Sequence, residues 1–312
     1  MIVVFSGGVG GSRFLEGLIQ VVPQEDIVVV GNTGDDEEFY GLHVSPDLDI
    51  VLYTLAGVVN TKQGWGFRHE TFHVMQQLTK LGNDAWFRLG DNDLATHMYR
   101  TQLLQQGKTL TQVTDSLRKI FGLQIKLIPM SDQTVRTFIK TSHGIIPFQE
   151  YFVKNRSLAI VQDVIYKNAE TSRPAPGILK AIEQAQMIIL APSNPLVSIG
   201  TILAIPGILE ALQKTKAPVA AISPIINGLA VKGPVISMMN SMGMEASAAG
   251  IAKAYQNFLD LMIIDKQDED LQKEITKLGI KSIVTNTIMK DKIAKKKLAQ
   301  TVLSAYFFKP KF

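Results

Sequence analysis

Four apolar residues, Ile2-Val3-Val4-Phe5, run unbroken into Ser6-Gly7-Gly8-Val9-Gly10-Gly11-Ser12 and then into the helix-like Phe14-Leu15-Glu16-Gly17-Leu18-Ile19. A continuous apolar run this short suits a strand covered on both faces, as in a parallel sheet. Comparable runs recur over 26–30, 187–190, 218–222 and 261–265, with helical patterns over 178–185 and 196–205 between them. Such alternation predicts an α/β fold: a Rossmann-like, mostly parallel sheet with helices on both faces.

The middle of the chain breaks this rhythm. From about residue 62 to 121 the pattern is helical, with helices expected over 68–81, 93–106 and 110–121. Thr109 followed by Gln112 offers a capped start to the last of these, and Gly122 a stop. Residues 124–166 are richer in β-branched and aromatic types, notably over 134–139 and 148–153, and are read as antiparallel strands. Arg173-Pro174-Ala175-Pro176-Gly177 marks the return to βα alternation. The expected organisation is one α/β domain, 1–312, with its core in 1–60 and 176–312 and a mixed helical and β insertion over 61–175.

Composition narrows the function classes. At 312 residues and 46% hydrophobic content the chain can bury a large core. Net charge is only +4, and much of the excess lies in Lys290, Lys292 and Lys295-Lys296-Lys297, read as a solvated helix face and not as a nucleic-acid patch. With no cysteine, disulfides, thiolate zinc sites and a cysteine nucleophile are excluded, which is compatible with a reducing cytoplasm. No signal peptide or membrane span is visible, so no membrane partner is expected. The apolar, Met-bearing stretch 235–244 reads as core or as the interface of a homodimer.

Polar residues gather where strands end: Ser6, then Asn32 and Asp35, then Ser193-Asn194, then Ser223. Ligands of open α/β sheets bind beyond the carboxyl ends of the strands, so these loops should line one crevice. The Gly-rich turn puts unpaired N–H groups and a positive dipole end where a phosphate can sit, although glycines there also serve a tight turn and close packing. It fits neither common phosphate fingerprint. Counted from Gly8, the dinucleotide pattern needs glycine where Arg13 stands, and no Gly-Lys-Ser/Thr follows. Four consecutive acids, Asp35 to Glu38, are costly unless solvated, capping or holding a cation. Asp47 and Asp49 in Ser45-Pro46-Asp47-Leu48-Asp49 precede a helix, where they could complement its dipole or offer oxygens to Mg²⁺. Asn194 before Pro195 is an ordinary helix cap that can also border an anion site. His69-Glu70-Thr71-Phe72-His73 matches the zinc-protease pattern, but no third ligand is placed among the scattered His43, His97 and His143.

Taken together, several stretches resemble the 2-phospho-L-lactate transferase family. They are Ser6 to Gly11, Asn32-Thr33-Gly34-Asp35-Asp36, Ser45 to Asp49, Gly90-Asp91-Asn92-Asp93-Leu94-Ala95-Thr96-His97, Phe148-Gln149-Glu150-Tyr151, Gly177, Pro192-Ser193-Asn194-Pro195, Ser223-Pro224-Ile225-Ile226 and Lys232-Gly233-Pro234, in the family's order. The resemblance implies a Mg²⁺-dependent step of coenzyme F-420 biosynthesis. In it, the ribityl hydroxyl of the deazariboflavin Fo attacks the phosphate carrying the acid group in a lactyl- or enolpyruvyl-diphospho-guanosine donor, and GMP leaves. It implies Asp49 and Asp47 as catalytic residues, Asp36, Asp47 and Asp49 as metal ligands, and Asp49, Arg88 and Asp91 as contacts to Fo, the insertion contributing this acceptor site. The donor would lie on Gly7, Gly8, Gly10, Gly11, Ser193 and Asn194. Two departures stand out: Asn92 where a basic residue is frequent, and Val9 where threonine is. Glu70 is the family-like feature within the zinc-like match. The opening turn is also similar to that of gluconeogenesis-factor relatives, which suggests the alternative of a non-catalytic, nucleotide-sugar-binding regulator.

Overall fold

The structure, a computed structural model, describes residues 1–230 and 233–305, so Lys232 of the matching stretches lies outside them. Seven strands form one parallel sheet: β1 (Ile2–Ser6), β2 (Ile27–Gly31), β3 (Lys126–Pro129), β4 (Met187–Leu190), β5 (Val219–Ile222), β6 (Leu261–Asp265) and β7 (Lys281–Thr285). Their order across the sheet is β7-β6-β5-β4-β1-β2-β3. This is the Rossmann-like arrangement, in which the chain winds outward from β1 through β2 and β3 and then returns to β4 on the other side.

The uninterrupted apolar runs have a direct cause. Val3, Phe5, Val28, Val30, Ile188 and Leu190 enter the core on one face, and Ile2, Val4, Ile27, Val29, Met187 and Ile189 the core on the other. Every second residue serves a different layer, so no polar position is tolerated between them. The second of these cores is closed by helices α1 (Gly8–Leu18), α2 (Pro46–Leu55) and α5 (Leu110–Ile120), and by the C-terminal helix Lys292–Ser304, through residues such as Phe14, Val51, Val113 and Leu298. Helices Ile178–Gln184, Ile208–Lys214 and Ala248–Ala254 cover the opposite face.

Between β2 and β3 lie α3 (His73–Lys80) and α4 (Asp91–Gln105), followed by α5, whose Thr109–Gln112 capping box forms as expected. A three-stranded antiparallel sheet, Arg136–Thr141 between Gly144–Pro147 and Val161–Lys167, makes up the β part of the insertion.

Three expectations change. The insertion over 61–175 is interrupted, because Lys126–Pro129 pairs with β2 and forms an edge of the main sheet, a position where Pro129 is tolerated. Residues 148–153 are not a strand. They lead into a wide helical turn, Glu150–Lys154, that stacks Phe148 on Phe152 with ring centroids 5.5 Å apart. The helix expected over 68–81 begins only at His73, because His69 adopts a left-handed conformation with φ of 57°. The helix expected over 196–205 is present as Pro195–Leu203, with its Pro195–Gly200 part wound more widely than an α-helix. In the 235–244 stretch, Val235, Met238 and Met239 are buried in the chain's own cores. Among the described residues no single helix is long and apolar enough to cross a membrane.

Candidate active site

The switch point of the sheet lies between β1 and β4, and a cavity of about 610 Å³ opens beyond their carboxyl ends. Gly7, Gly8 and Gly10 after β1 and Ser193 and Asn194 after β4 line it. The two loops are tied together, since Ser193 Oγ accepts from Gly7 N at 3.1 Å and donates to Gly7 O at 2.7 Å. Asn194 caps its helical turn by accepting from Leu196 N at 2.9 Å and Val197 N at 3.3 Å. The glycines are there for space as well as for N–H groups. A Cβ on Gly10 would lie 2.0 Å from the Pro192 carbonyl oxygen. Gly10→Ala should therefore force the loops apart and cost about 1–3 kcal/mol, read as a lowered calorimetric midpoint; an unchanged midpoint would mean that the loops are slack.

The amino end of α1 already holds an anion. Asp47, in the first turn of α2, accepts from Gly8 N and from Asn32 Nδ2, both at 2.8 Å. Asp35, on the loop after β2, also lines the cavity, and its Oδ1 is buried without a hydrogen bond. Burial, with Asp47 and Asp36 adding like charge, raises the Asp35 pKa well above the carboxylate range. Burial likewise pushes Asp47 up to about 6. Asp36 is not part of the cavity lining; its Oδ2 accepts from Ser45 Oγ at 2.8 Å with His43 Nε2 at 3.0 Å, and its Oδ1 is buried without a hydrogen bond.

Beside them lies a largely buried network, of which sequence reasoning missed Arg100 and Tyr53. Arg100, from α4, grips both carboxylate oxygens of Asp49, with Nη1 at 3.1 Å from Oδ2 and Nη2 on Oδ1. It also lies 3.0 Å from His97 Nδ1. Arginine can only donate, so Nδ1 accepts and the imidazole proton sits on Nε2, 3.1 Å from Asp93 Oδ1. Tyr53 donates to the same Asp93 oxygen at 2.7 Å. Burial raises the Asp49 pKa against the pull of Arg100 and His97, whereas Asp93, also opposed by burial, is carried below the ordinary range by His97 and Tyr53. Asp49, Asp93, His97 and Tyr53 all face the cavity.

Trp65, Trp86, Phe87, Phe148 and Phe152 form the apolar, aromatic part of the lining. Arg88 stands here over the Phe72 ring, 4.4 Å from its centroid. A reciprocal clasp joins the two ends of the segment that carries Trp86, Phe87 and Arg88. The Asp91 carboxylate accepts from Thr71 Oγ1, His73 N and Val74 N at 2.6–3.1 Å, capping α3. Glu70 accepts from Asn92 N, Asn92 Nδ2 and Asp93 N at 2.8–3.2 Å, capping α4. The zinc-like motif is thus a cap, with His69 and His73 exposed and not on one helix face.

Of the residues expected at the site, the cavity brings together Gly7, Gly8, Gly10, Asp47, Asp49, Arg88, Ser193 and Asn194. Gly11, Asp36 and Asp91 are not among its lining.

Comparison with known proteins extends this picture. The family model described as 2-phospho-L-lactate transferase CofD matches residues 2–305. A phosphoenolpyruvate transferase of Streptomyces griseus is 43% identical over 308 residues, 97% of each chain. The 2-phospho-L-lactate transferases of Methanocaldococcus jannaschii and Methanosarcina mazei are 38% and 36% identical, covering 97% of this chain and 97% and 100% of their own. Among solved structures, a UPF0052 family member from Bacillus halodurans superposes with a TM-score of 0.67 at 16% identity, over 97% of this chain and 98% of that one, a likeness of fold alone.

Proposed function

The chain belongs to the 2-phospho-L-lactate transferase CofD family, and from that premise we propose that it moves a phosphorylated three-carbon acid from a guanosine-diphospho donor to the ribityl hydroxyl of Fo, as a step of coenzyme F-420 biosynthesis. The observation that carries the reading is one cavity joining a Gly-rich turn at the switch point, buried carboxylates and an aromatic wall. A planar tricyclic ring suits Trp65, Trp86, Phe87 and Phe148. Its ribityl chain then extends toward Asp49. The donor lies along Gly7, Gly8 and Gly10, with its nucleoside toward Ser193 and Asn194.

Phosphoryl transfer asks mainly for positioning and charge neutralisation. Asp49, held in one orientation by Arg100, accepts a hydrogen bond from the ribityl hydroxyl and takes its proton as oxygen attacks phosphorus. The bond from that phosphorus to the GMP oxygen breaks, and GMP departs. A raised pKa brings the carboxylate nearer the operating pH of a base.

The residues fit the Mg²⁺ that the family resemblance implies, in a restricted way. Among the described residues no three His, Asp or Glu side chains are grouped to hold a metal by themselves. Mg²⁺ ordinarily takes one or two carboxylates and completes its shell with water and substrate phosphate. Asp35, with its unpartnered oxygen, and Asp47 would supply those two carboxylates. Asp36, whose Oδ1 is also without a hydrogen bond, does not line the cavity, and both oxygens of Asp49 are held by Arg100. Bound there, the ion would neutralise charge on the donor phosphates.

GMP should be released only when donor, Fo and Mg²⁺ are all present, with chromatography as the readout. Identity is higher to the phosphoenolpyruvate transferase, 43% against 36–38%, so the enolpyruvyl donor should turn over faster than the lactyl one. Folded protein that releases no GMP from either donor would overturn the reading, and binding of UDP-sugars without Fo would replace it with the regulator.

A further inference from the structure

Position 13, where a dinucleotide fingerprint would carry its third glycine, holds an arginine that faces the cavity. Its neighbours Phe14 and Leu15 are buried in the core beneath, so α1 turns Arg13 outward. Lys290 faces the same cavity from the loop after β7. That loop is pinned at both ends. Asp265 Oδ2 accepts from Thr287 N and Oγ1 at 2.8 and 3.0 Å, and Asp291 caps the C-terminal helix by accepting from Ala294 N at 2.8 Å. The C-terminal helix is locked to α1, since a Cβ on Gly17 would lie 2.3 Å from Lys295 O and Lys295 Nζ reaches Glu16 Oε2 at 2.6 Å. The two cations therefore ride on one rigid pair of elements.

Neither cation has a carboxylate partner among the described residues, although Asp35, Asp47, Asp49 and Asp93 line the same cavity. Charge in the cavity is separated, with acids at the switch point and free cations on the α1 flank. Where Asp47 carries its charge, an anionic ligand brought in beside it meets repulsion, which fixed positive groups or a metal offset.

We propose that Arg13 and Lys290 form an oxyanion clamp that takes a phosphate or carboxylate group of the donor. This rests on the transferase reading above and adds to it two residues that the Gly-rich turn alone does not supply. The departure from the dinucleotide fingerprint becomes functional: the position that would otherwise favour close packing carries a charged contact to ligand.

Arg13→Gln, Lys290→Gln and the double variant test the clamp, with Arg13→Lys as the conservative control. Each single change should weaken donor binding about tenfold and the double change about a hundredfold, the scale of charge-assisted hydrogen bonds. Calorimetry with GDP and turnover with the complete donor separate the two sources of the anion. A raised Kd for GDP places a phosphate in the clamp. Unchanged GDP binding with kcat/KM for the complete donor reduced to the same degree places the carboxylate there. Fo binding and the thermal midpoint stay as in the wild type, Arg13→Lys recovers much of the loss, and the salt dependence of donor kcat/KM becomes shallower in the double variant. A double variant that binds GDP and uses the donor as the wild type does overturns the clamp alone. Wild-type protein that binds neither GDP nor donor overturns the transferase reading and the clamp with it.

Discussion

Arg100→Met will lower the stability of the fold by about 3–5 kcal/mol, the usual cost of removing one partner from a buried ion pair. Asp49 is only 4% exposed and Arg100 1% exposed. With Arg100 gone, the carboxylate loses the cation that grips it, and His97 Nδ1 remains 3.7 Å away. Asp49 then either stays charged and unpaired or takes up a proton, and both outcomes cost stability near neutral pH. Removing both charges in Asp49→Leu with Arg100→Met should restore a good part of the loss, because an apolar pair of similar volume needs no desolvation. Activity should not return, since the base is absent. Urea denaturation gives the numbers. A loss below about 1 kcal/mol in the single variant would mean that the pair behaves as a solvated surface bridge.

Five strands of the main sheet, all but Lys126–Pro129 and Lys281–Thr285, were legible because their residues obey a local rule. Strands buried on both faces must be apolar at every position, and Met187–Leu190 and Leu261–Asp265 coincide with the runs that predicted them. Lys126–Pro129 was not recognised as part of that sheet, because its membership depends on pairing with β2, about a hundred residues earlier, and not on its own four residues. The aromatic segment at 148–153 misled for the opposite reason. Phe148 and Phe152 are four apart and pack as helical neighbours, a spacing hidden by their β-like composition.

At the site, the turn and the Asp47 and Asp49 pair announced themselves through sequence neighbours. Arg100 did not, since it lies 51 positions from the carboxylate it holds. A signal was present in α4 all the same. Asp93, His97 and Arg100 are spaced by four and three, on one helix face, and such a face carries charge into the interior only if a partner waits there. Asp91 shows the reverse case, a family-like acid whose carboxylate is fully used in capping α3.

Asp47→Asn should lower kcat by about 10²–10³, the scale for losing one preorganised electrostatic contact, and yet raise stability. The sign follows from linkage. Asp47 has a folded pKa pushed up to about 6 against an ordinary value of 3.8, so the folded chain holds its proton more tightly than the unfolded one. Stability from this group is fully present in acid and is lost as pH rises from about 4 to about 6, a loss of about 3 kcal/mol when integrated. Asparagine removes that titration but also gives up one of the two acceptors now used by Gly8 N and Asn32 Nδ2, at about 1 kcal/mol. Without metal, the variant should therefore exceed the wild type by about 1–2 kcal/mol at pH 7 and match or fall below it at pH 4. Mg²⁺ added with GDP should narrow the gap at pH 7 by stabilising the wild type alone. A variant less stable than the wild type at pH 7 in chelator would mean that Asp47 is solvated in the folded chain. Its carboxylate would then lack the unfavourable burial that, on the present reading, the fold tolerates for the sake of the reaction.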